Sequence, residues 1–80
     1  MSESISEDKI IILDLLGFFC PVPIHETRKF LDKLDNGVII EVLCDDPETK
    51  YDMPALCNRL NVELINFTEK SGEFIYRIKK

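Results

Sequence analysis

The chain has 80 residues, of which 45% are hydrophobic and 31% are charged, and its formal net charge is −5. A chain of this length and composition builds one compact globular domain and is not disordered. The acidic balance argues against a protein that binds nucleic acid through clustered positive charge. No apolar run reaches the roughly 20 residues of a membrane-spanning helix.

The first residues carry no export signal. Residues 1–8 are polar and acidic, and they lack the apolar stretch and small-residue cleavage site of a secretory signal peptide. We therefore expect a flexible N-terminal tail over 1–8, a single domain over 9–80, and a cytoplasmic location.

The first half of the domain predicts a strand, a helix and a second strand. The β-branched run 10–13 is typical of a buried strand, and Gly17 supplies the turn after it. From Pro21 the apolar residues take helical spacing, until the segment 35–37 stops the helix with a glycine. The run 38–43 is the second strand, and a helical connection between the two strands predicts parallel pairing through a right-handed crossover.

The second half predicts a shorter helix and a hairpin. Asp52 is placed to cap the helix. Four apolar residues at helical spacing form its predicted inner face: Met53, Leu56, Cys57 and Leu60. The runs 62–69 and 73–79 are strand-like, and the glycine-containing connection 70–72 predicts that they pair antiparallel. The order βαβαββ predicts an α/β (α+β) two-layer sandwich, with a four-stranded mixed sheet and two helices on one face.

Two helices cover only one face of such a sheet, so the other face should stay open. Strict alternation turns Ile39 and Ile75 away from the helices, together with one of two residue sets in the third strand. These sets are Leu64 with Asn66 and Ile65 with Phe67. Such outward residues are either scattered surface hydrophobics or a surface for a dimer or another partner.

Cys20 lies where the chain leaves the loop after the first strand and enters the first helix. Pro21 suits the first helical position, which makes Cys20 the expected N-cap residue. A thiolate there would feel the positive end of the helix dipole and accept bonds from free N–H groups, which predicts a moderately lowered pKa. We expect partial ionisation near neutral pH. The alternative is a small capping residue in a stiff turn.

The other cysteines and the neighbours of Cys20 limit the kinds of reaction and site that we expect at this residue. A redox CxxC motif has its second cysteine where this chain has Pro23, so Cys20 has no resolving thiol of that kind. The three cysteines lie in different predicted elements without zinc-site spacing, so we expect no disulfide framework, no metal and no other cofactor. His25 is five residues beyond Cys20, which argues against a Cys-His nucleophile pair. Cys57 should be inert core.

Several short motifs surround Cys20 or follow it along the chain. Residues 13–17 read L-D-x-x-G, and residues 20–23 read C-P-x-P at a helix start. Further motifs are Arg28-Lys29 on the first helix, Asp45-Asp46-Pro47 after the second strand and Asp52-Met53-Pro54 at the second helix. Together they resemble the TusA (SirA-like) family of sulfur carrier proteins over about residues 9–80. Asn61 stands where many members have Gly, and Asn tolerates the left-handed conformation.

The resemblance implies a βαβαββ fold and a cysteine persulfide on Cys20 that is relayed from a sulfurtransferase to an acceptor. Such a carrier acts within sulfurtransferase relays and is not a stand-alone enzyme. The implied partners are a cysteine desulfurase, a rhodanese or a DsrE-like sulfurtransferase, in tRNA thiolation, molybdenum cofactor supply or sulfur oxidation. We expect no direct contact with nucleic acid or membrane, and a monomer or weak dimer.

Other residues have supporting roles in this interpretation. Gly17, Pro21 and Pro23 would support the motif around the thiol. Arg28 and Lys29 would guide an acidic patch on the partner toward the sulfur, or are only a solvated basic face. The acidic pair before Pro47 is expected to form a turn or helix start and not a calcium loop.

Two rival functions stay open from the sequence. Cys44 ends the second strand at the sheet edge where Cys20 begins its helix, so it could approach Cys20. It is then a small buried residue, the disulfide partner of Cys20 in a redox sensor, or an acceptor of the persulfide sulfur. The second rival is a non-catalytic interaction module that uses the open sheet face or the first helix.

Overall fold

The computed structural model describes residues 10–80, and the tail predicted for 1–8 lies outside the described residues. Six elements follow one another in the predicted order βαβαββ. They are β1 (Ile10–Asp14), α1 (Val22–Asp32), β2 (Ile39–Cys44), α2 (Thr49–Leu60), β3 (Glu63–Lys70) and β4 (Glu73–Lys79). Neither helix has the length and apolarity needed to cross a membrane.

The four strands form one mixed sheet in the order β1-β2-β4-β3. β1 pairs parallel to β2, as the helical connection predicted, and β4 pairs antiparallel to both β2 and β3. The β3–β4 hairpin closes through Ser71 and Gly72, which have φ values of 54° and 81°, as a two-residue hairpin turn requires. Because β1 and β2 are parallel, the loops that follow them leave the sheet at the same end.

The core lies between the sheet and the two helices. Alternate residues of β2 and β4 are at most 4% exposed on the helix side: Ile40, Val42, Cys44, Phe74, Tyr76 and Ile78. From the helices, Leu31, Met53 and Leu56 pack against them, and the predicted inner face of α2 is confirmed. This arrangement is the predicted two-layer sandwich with both helices on one face of the sheet.

The opposite sheet face is open, and one part of the prediction for it was wrong. Ile39 and Ile75 do lie on that face, between buried neighbours that point to the helices. In β3, however, neither of the two predicted residue pairs lies wholly on the open face. A β-bulge between Leu64 and Asn66 shifts the register, so Leu64 and Phe67 both lie on the helix side. The ring of Phe67 accordingly lies 5.1 Å from that of Tyr76.

Both helices also differ from their predicted ends. α1 stops at Asp32, short of the predicted 35–37. The Lys80 ammonium donates to the carbonyl of Leu31 in its last turn (2.6 Å) and to that of Leu34 just beyond it (2.8 Å). α2 begins at Thr49, so Asp52 belongs to its first turn and is not its cap. At its end Asn61 adopts the left-handed conformation (φ 61°, ψ 37°), as expected for this residue.

Candidate functional site

Cys20 lies in the loop between β1 and α1, one residue further from the helix than predicted. The N–H of His25 donates to the carbonyl of Pro21 (3.0 Å), which is the first backbone bond of the helix and makes Pro21 the N-cap. The prediction of Cys20 as N-cap was therefore wrong. The Cys20–Pro21 peptide bond is cis, and the Val22 N–H donates to the carbonyl of Phe19 (2.9 Å) across the turn. The side chain of Cys20 is partly exposed.

Two aspartates after β2 hold the Cys20 loop in place. The N–H of Gly17 donates to Asp45 Oδ2 (3.0 Å), and the N–H of Cys20 donates to Asp46 Oδ2 (2.7 Å). The other carboxylate oxygen of Asp46 accepts the N–H of Glu48 (3.1 Å). These bonds lower the pKa of Asp46, because the Cys20 N–H and then the Glu48 N–H favour the ionised carboxylate. We call this arrangement, the Asp45 and Asp46 carboxylates with the N–H groups they accept, the aspartate clamp.

Gly17 has a conformational role in the same loop. Its φ is 88°, a value that residues with a side chain rarely adopt, and a Cβ at this position would meet no other atom within 4 Å. Backbone conformation, and not a lack of space, is therefore the physical reason for glycine here. This supports the expected role of Gly17 in shaping the motif.

Carboxylates surround the thiol of Cys20. Its Sγ atom and one carboxylate oxygen each of Glu48 and Asp52 lie within 4.8 Å of one another. Burial raises the pKa of the Cys20 thiol to about 11, and the hydrogen bond to Asp52 and the negative charges of Asp46, Asp52 and Glu48 add to the rise. The predicted lowering of this pKa was wrong, since nearby carboxylates and burial outweigh the helix dipole. The thiol is protonated at neutral pH.

The same three side chains are the ones that could offer ligand atoms to a cation. A thiolate and two carboxylates are acceptable donors for a divalent metal. No fourth histidine, cysteine or acidic residue within 10–80 joins the group, and Glu48 and Asp52 are exposed. We therefore assign no metal to it.

Cys44 lies beneath the Cys20 loop in the core. It is fully buried, it pairs with Phe74 in the sheet, and it precedes the aspartate clamp directly. Burial raises the pKa of Cys44 to about 12, and the charge of a Cys20 thiolate adds to this. No disulfide joins Cys44 to Cys20, and an approach of the two thiols stays a prediction. Cys57 is buried in α2, as predicted.

Exposed aromatic and basic residues lie in the Cys20 loop and on both helices. Phe19 is 74% exposed in the Cys20 loop, and Tyr51 is 76% exposed in the first turn of α2. Arg28 and Lys29 are exposed on α1, where Lys29 lies 3.6 Å from Glu26. Their expected role in meeting a partner stays a prediction.

Sequence reasoning missed the acidic neighbours of the thiol. It placed Asp52 at a helix cap and gave no role to Glu48, and both lie far from Cys20 in the sequence. A signal was present, because Glu48 and Asp52 are four residues apart and so share one face of a helix. This helix follows β2, and the residues at the end of β2 lie beside the Cys20 loop.

Comparison with known proteins settles the family. The family model described as "Sulfurtransferase TusA" matches residues 11–80. The chain belongs to the TusA family. It is 38% identical over 69 residues to the sulfur carrier protein TusA of Pseudomonas putida strain F1, and the match covers 86% of each chain. It is 33% identical over 81 residues to the TusA of Pseudomonas savastanoi pv. phaseolicola, covering 100% of this chain and 96% of that protein.

The TusA fold is also found in a solved structure. The crystal structure of the SirA-like protein from Desulfitobacterium hafniense matches with a TM-score of 0.78 and 25% sequence identity. The match covers 89% of this chain and 96% of that one. The TusA and SirA-like resemblance and the mixed-sheet sandwich predicted from the sequence are both confirmed.

Proposed function

We propose that this protein carries sulfane sulfur as a persulfide on Cys20 and passes it between partner proteins. The observation that carries the proposal is exposure: Cys20 is the partly exposed cysteine, whereas Cys44 and Cys57 are buried in the core. Membership of a sulfur carrier family supplies the chemistry. Pro23 stands three residues after Cys20, where a CxxC motif would have its second cysteine. No thiol at that position can therefore attack and release a sulfur bound to Cys20.

The transfer is a thiol–persulfide exchange. The sulfur of Cys20 attacks the outer sulfur of a donor persulfide, forming a new S–S bond as the S–S bond of the donor breaks. The electron pair of the broken bond stays on the donor sulfur, which takes up the proton that Cys20 loses. The products are a Cys20 persulfide and a donor thiol, and the exchange needs no external oxidant or reductant.

The acidic surroundings make this reaction dependent on a partner. A thiol with a pKa raised to about 11 supplies little thiolate at neutral pH, and the thiolate is the attacking species. A donor or acceptor that covers the Glu48 and Asp52 carboxylates with positive charge would lower the barrier to ionisation. The free carrier would still take sulfur from a small persulfide, but more slowly than from a docked partner.

The partners and the pathway belong to the same proposal. A cysteine desulfurase, a rhodanese or a DsrE-like sulfurtransferase would be donor or acceptor, with Arg28 and Lys29 on α1 receiving an acidic patch of the partner. The acceptor pathway would be tRNA thiolation, molybdenum cofactor supply or sulfur oxidation. The cytoplasm is the compartment that we propose, because free thiols persist there.

Intact-mass spectrometry after incubation with glutathione persulfide tests the proposal. We expect the wild-type protein to gain one sulfur atom, and Cys57→Ser, the matched control, to gain it as well. Cys20→Ser should gain none. A wild-type protein that stays unmodified would favour the non-catalytic interaction module. Loss of two hydrogens between Cys20 and Cys44 would favour the redox sensor.

A further inference from the structure

A groove between the two helices opens directly beside the thiol. Pro21, which follows Cys20, lines it on the side of α1, and Asp52, which accepts the thiol hydrogen bond, lines it on the side of α2. Its volume is about 230 Å³. An occupant of this groove would therefore touch the immediate neighbours of the reactive sulfur.

The size and walls of the groove fit one side chain better than a cofactor. Pockets for small molecules usually measure about 300–1,000 Å³, more than this groove offers. Ile24, Ala55 and Leu56 contribute apolar side chains to its lining. An apolar side chain of moderate size, presented by another protein, suits both the volume and the lining.

The two ends of the groove carry opposite charge. Asp52 lies at the end next to Cys20, and Arg59 lies seven residues later on α2, which is about 10 Å along a helix. His25 on α1 adds a second basic side chain to the lining. Within residues 10–80 the ion pairs involve neither Asp52 nor Arg59, so both charges are available to an outside partner.

We propose that this groove binds an extended segment of a sulfur-transfer partner, with an acidic residue at Arg59, an apolar side chain between Ile24 and Leu56, and a basic residue at Asp52. About 10 Å corresponds to roughly three steps of extended chain at 3.3 Å each, so the acidic and basic residues stand about three positions apart. The inference rests on the proposed carrier function and adds the recognition chemistry of the partner.

This arrangement couples docking to the reactivity of Cys20. The basic residue of the segment would lie against Asp52, the carboxylate that accepts the hydrogen bond of the thiol. Pairing that carboxylate with a positive charge removes part of the repulsion that opposes thiolate formation. A docked partner thus finds a more reactive sulfur than a free persulfide in solution does.

Peptide titrations followed by NMR on the full ¹⁵N-labelled chain test the proposal. The first probe is the capped peptide Ac-Ala-Glu-Leu-Ala-Lys-Ala-amide, which should shift the amide signals of groove residues and accelerate alkylation of Cys20 by iodoacetamide. A second peptide with Ser in place of Leu should bind at least threefold more weakly. A third, with Lys in place of Glu, should also bind more weakly because its Lys meets Arg59.

Charge reversal in the protein supplies the decisive comparison. Arg59→Glu should weaken binding of the first peptide about fivefold. The same variant should strengthen binding of the third peptide, which has Lys in place of Glu. Lys79→Glu makes the same charge change on β4, at a residue that does not line the groove, and should alter neither affinity. Equal binding of all three peptides, unchanged affinities in Arg59→Glu, or no binding up to several millimolar would overturn the proposal.

The two proposals fail separately. Loading of Cys20 from glutathione persulfide needs no docked segment, so it reports on the carrier function alone. A protein that loads sulfur but ignores the peptides is a carrier without this recognition groove. A protein that binds the peptides but never gains sulfur has the groove but lacks the proposed function.

Discussion

The hydrogen bond between the Cys20 thiol and Asp52 has a direct kinetic consequence. The thiol donates to a carboxylate, and this contact favours the protonated form of Cys20. Asp52→Asn removes the negative charge, so the pKa of Cys20 should fall by about one unit and the thiolate fraction at pH 8 should rise about tenfold. We expect iodoacetamide to alkylate Cys20 correspondingly faster in this variant, as measured by mass spectrometry over time.

The control for this experiment is Asp32→Asn. It removes the same charge from the exposed side of α1, away from the thiol, and should leave the rate close to that of the wild type. In the wild type the alkylation rate should keep rising with pH up to about 11. A rate that already levels off near pH 8 would show that the carboxylates do not suppress the thiolate.

Cys20 also shows where sequence reasoning about the site stopped. The motif pointed to Cys20, the turn glycine and the absence of a resolving cysteine, all of which are local properties of residues 17–23. The pKa of Cys20 depends on Glu48 and Asp52, which lie about 30 residues away and reach the thiol through tertiary packing. A helix-dipole argument could therefore predict an effect on the thiol but not the stronger opposing one.

At the scale of elements, the aspartate clamp joins the Cys20 loop to the end of β2 and the start of α2. Of the two carboxylates in this clamp, that of Asp46 has a lowered pKa in the folded state. The contribution of the ionised Asp46 carboxylate to folding stability is therefore complete above the usual aspartate pKa of about 4. It is lost as the pH falls through the lowered pKa of the folded state. In Asp46→Asn we expect a melting temperature a few degrees lower at pH 7 and a smaller further drop between pH 7 and pH 3.

Thermal unfolding followed by circular dichroism measures both effects of Asp46→Asn. The matched variant Asp32→Asn removes an exposed carboxylate of α1 and should reproduce the wild-type curve. If Asp46→Asn and the wild type lost the same number of degrees on acidification, the clamp would not contribute to acid sensitivity. Faster amide exchange at Cys20 in Asp46→Asn would independently report the loss of its 2.7 Å hydrogen bond.

Element types and pairing were predictable because they follow from local periodicity and topology rules. The helical connection predicted the parallel β1–β2 pair, and the segment 70–72 predicted the antiparallel hairpin. Element ends were less predictable, since they depend on distant partners. The Lys80 ammonium bonds carbonyls at the end of α1, the Asp46 carbonyl accepts the N–H of Thr49 where α2 begins, and the β3 bulge depends on pairing with β4.

At the scale of the whole molecule, the buried acids of the core set an upper limit on the pH of the folded state. Burial raises the pKa of Cys57 to about 11 and those of Cys44 and Tyr76 to about 12. For such groups the folded state holds the proton more tightly, so stability is full below the ordinary pKa values, 9.0 for Cys and 10.0 for Tyr. It is then lost as the pH rises toward 11 or 12.

Cys57 isolates this contribution, because its pKa is raised by burial alone and it lies away from the Cys20 loop. A rise from the ordinary value of 9.0 to about 11 corresponds to a loss of about 1 kcal/mol between pH 8 and pH 10. We expect Cys57→Val to lose about that much less stability than the wild type over this interval, as measured by urea unfolding. Cys20→Ser, the control, removes a thiol outside the core and should retain the loss caused by Cys57. If the unfolding free energies of Cys57→Val and the wild type fell equally with pH, the core would tolerate the Cys57 thiolate and burial would not raise its pKa.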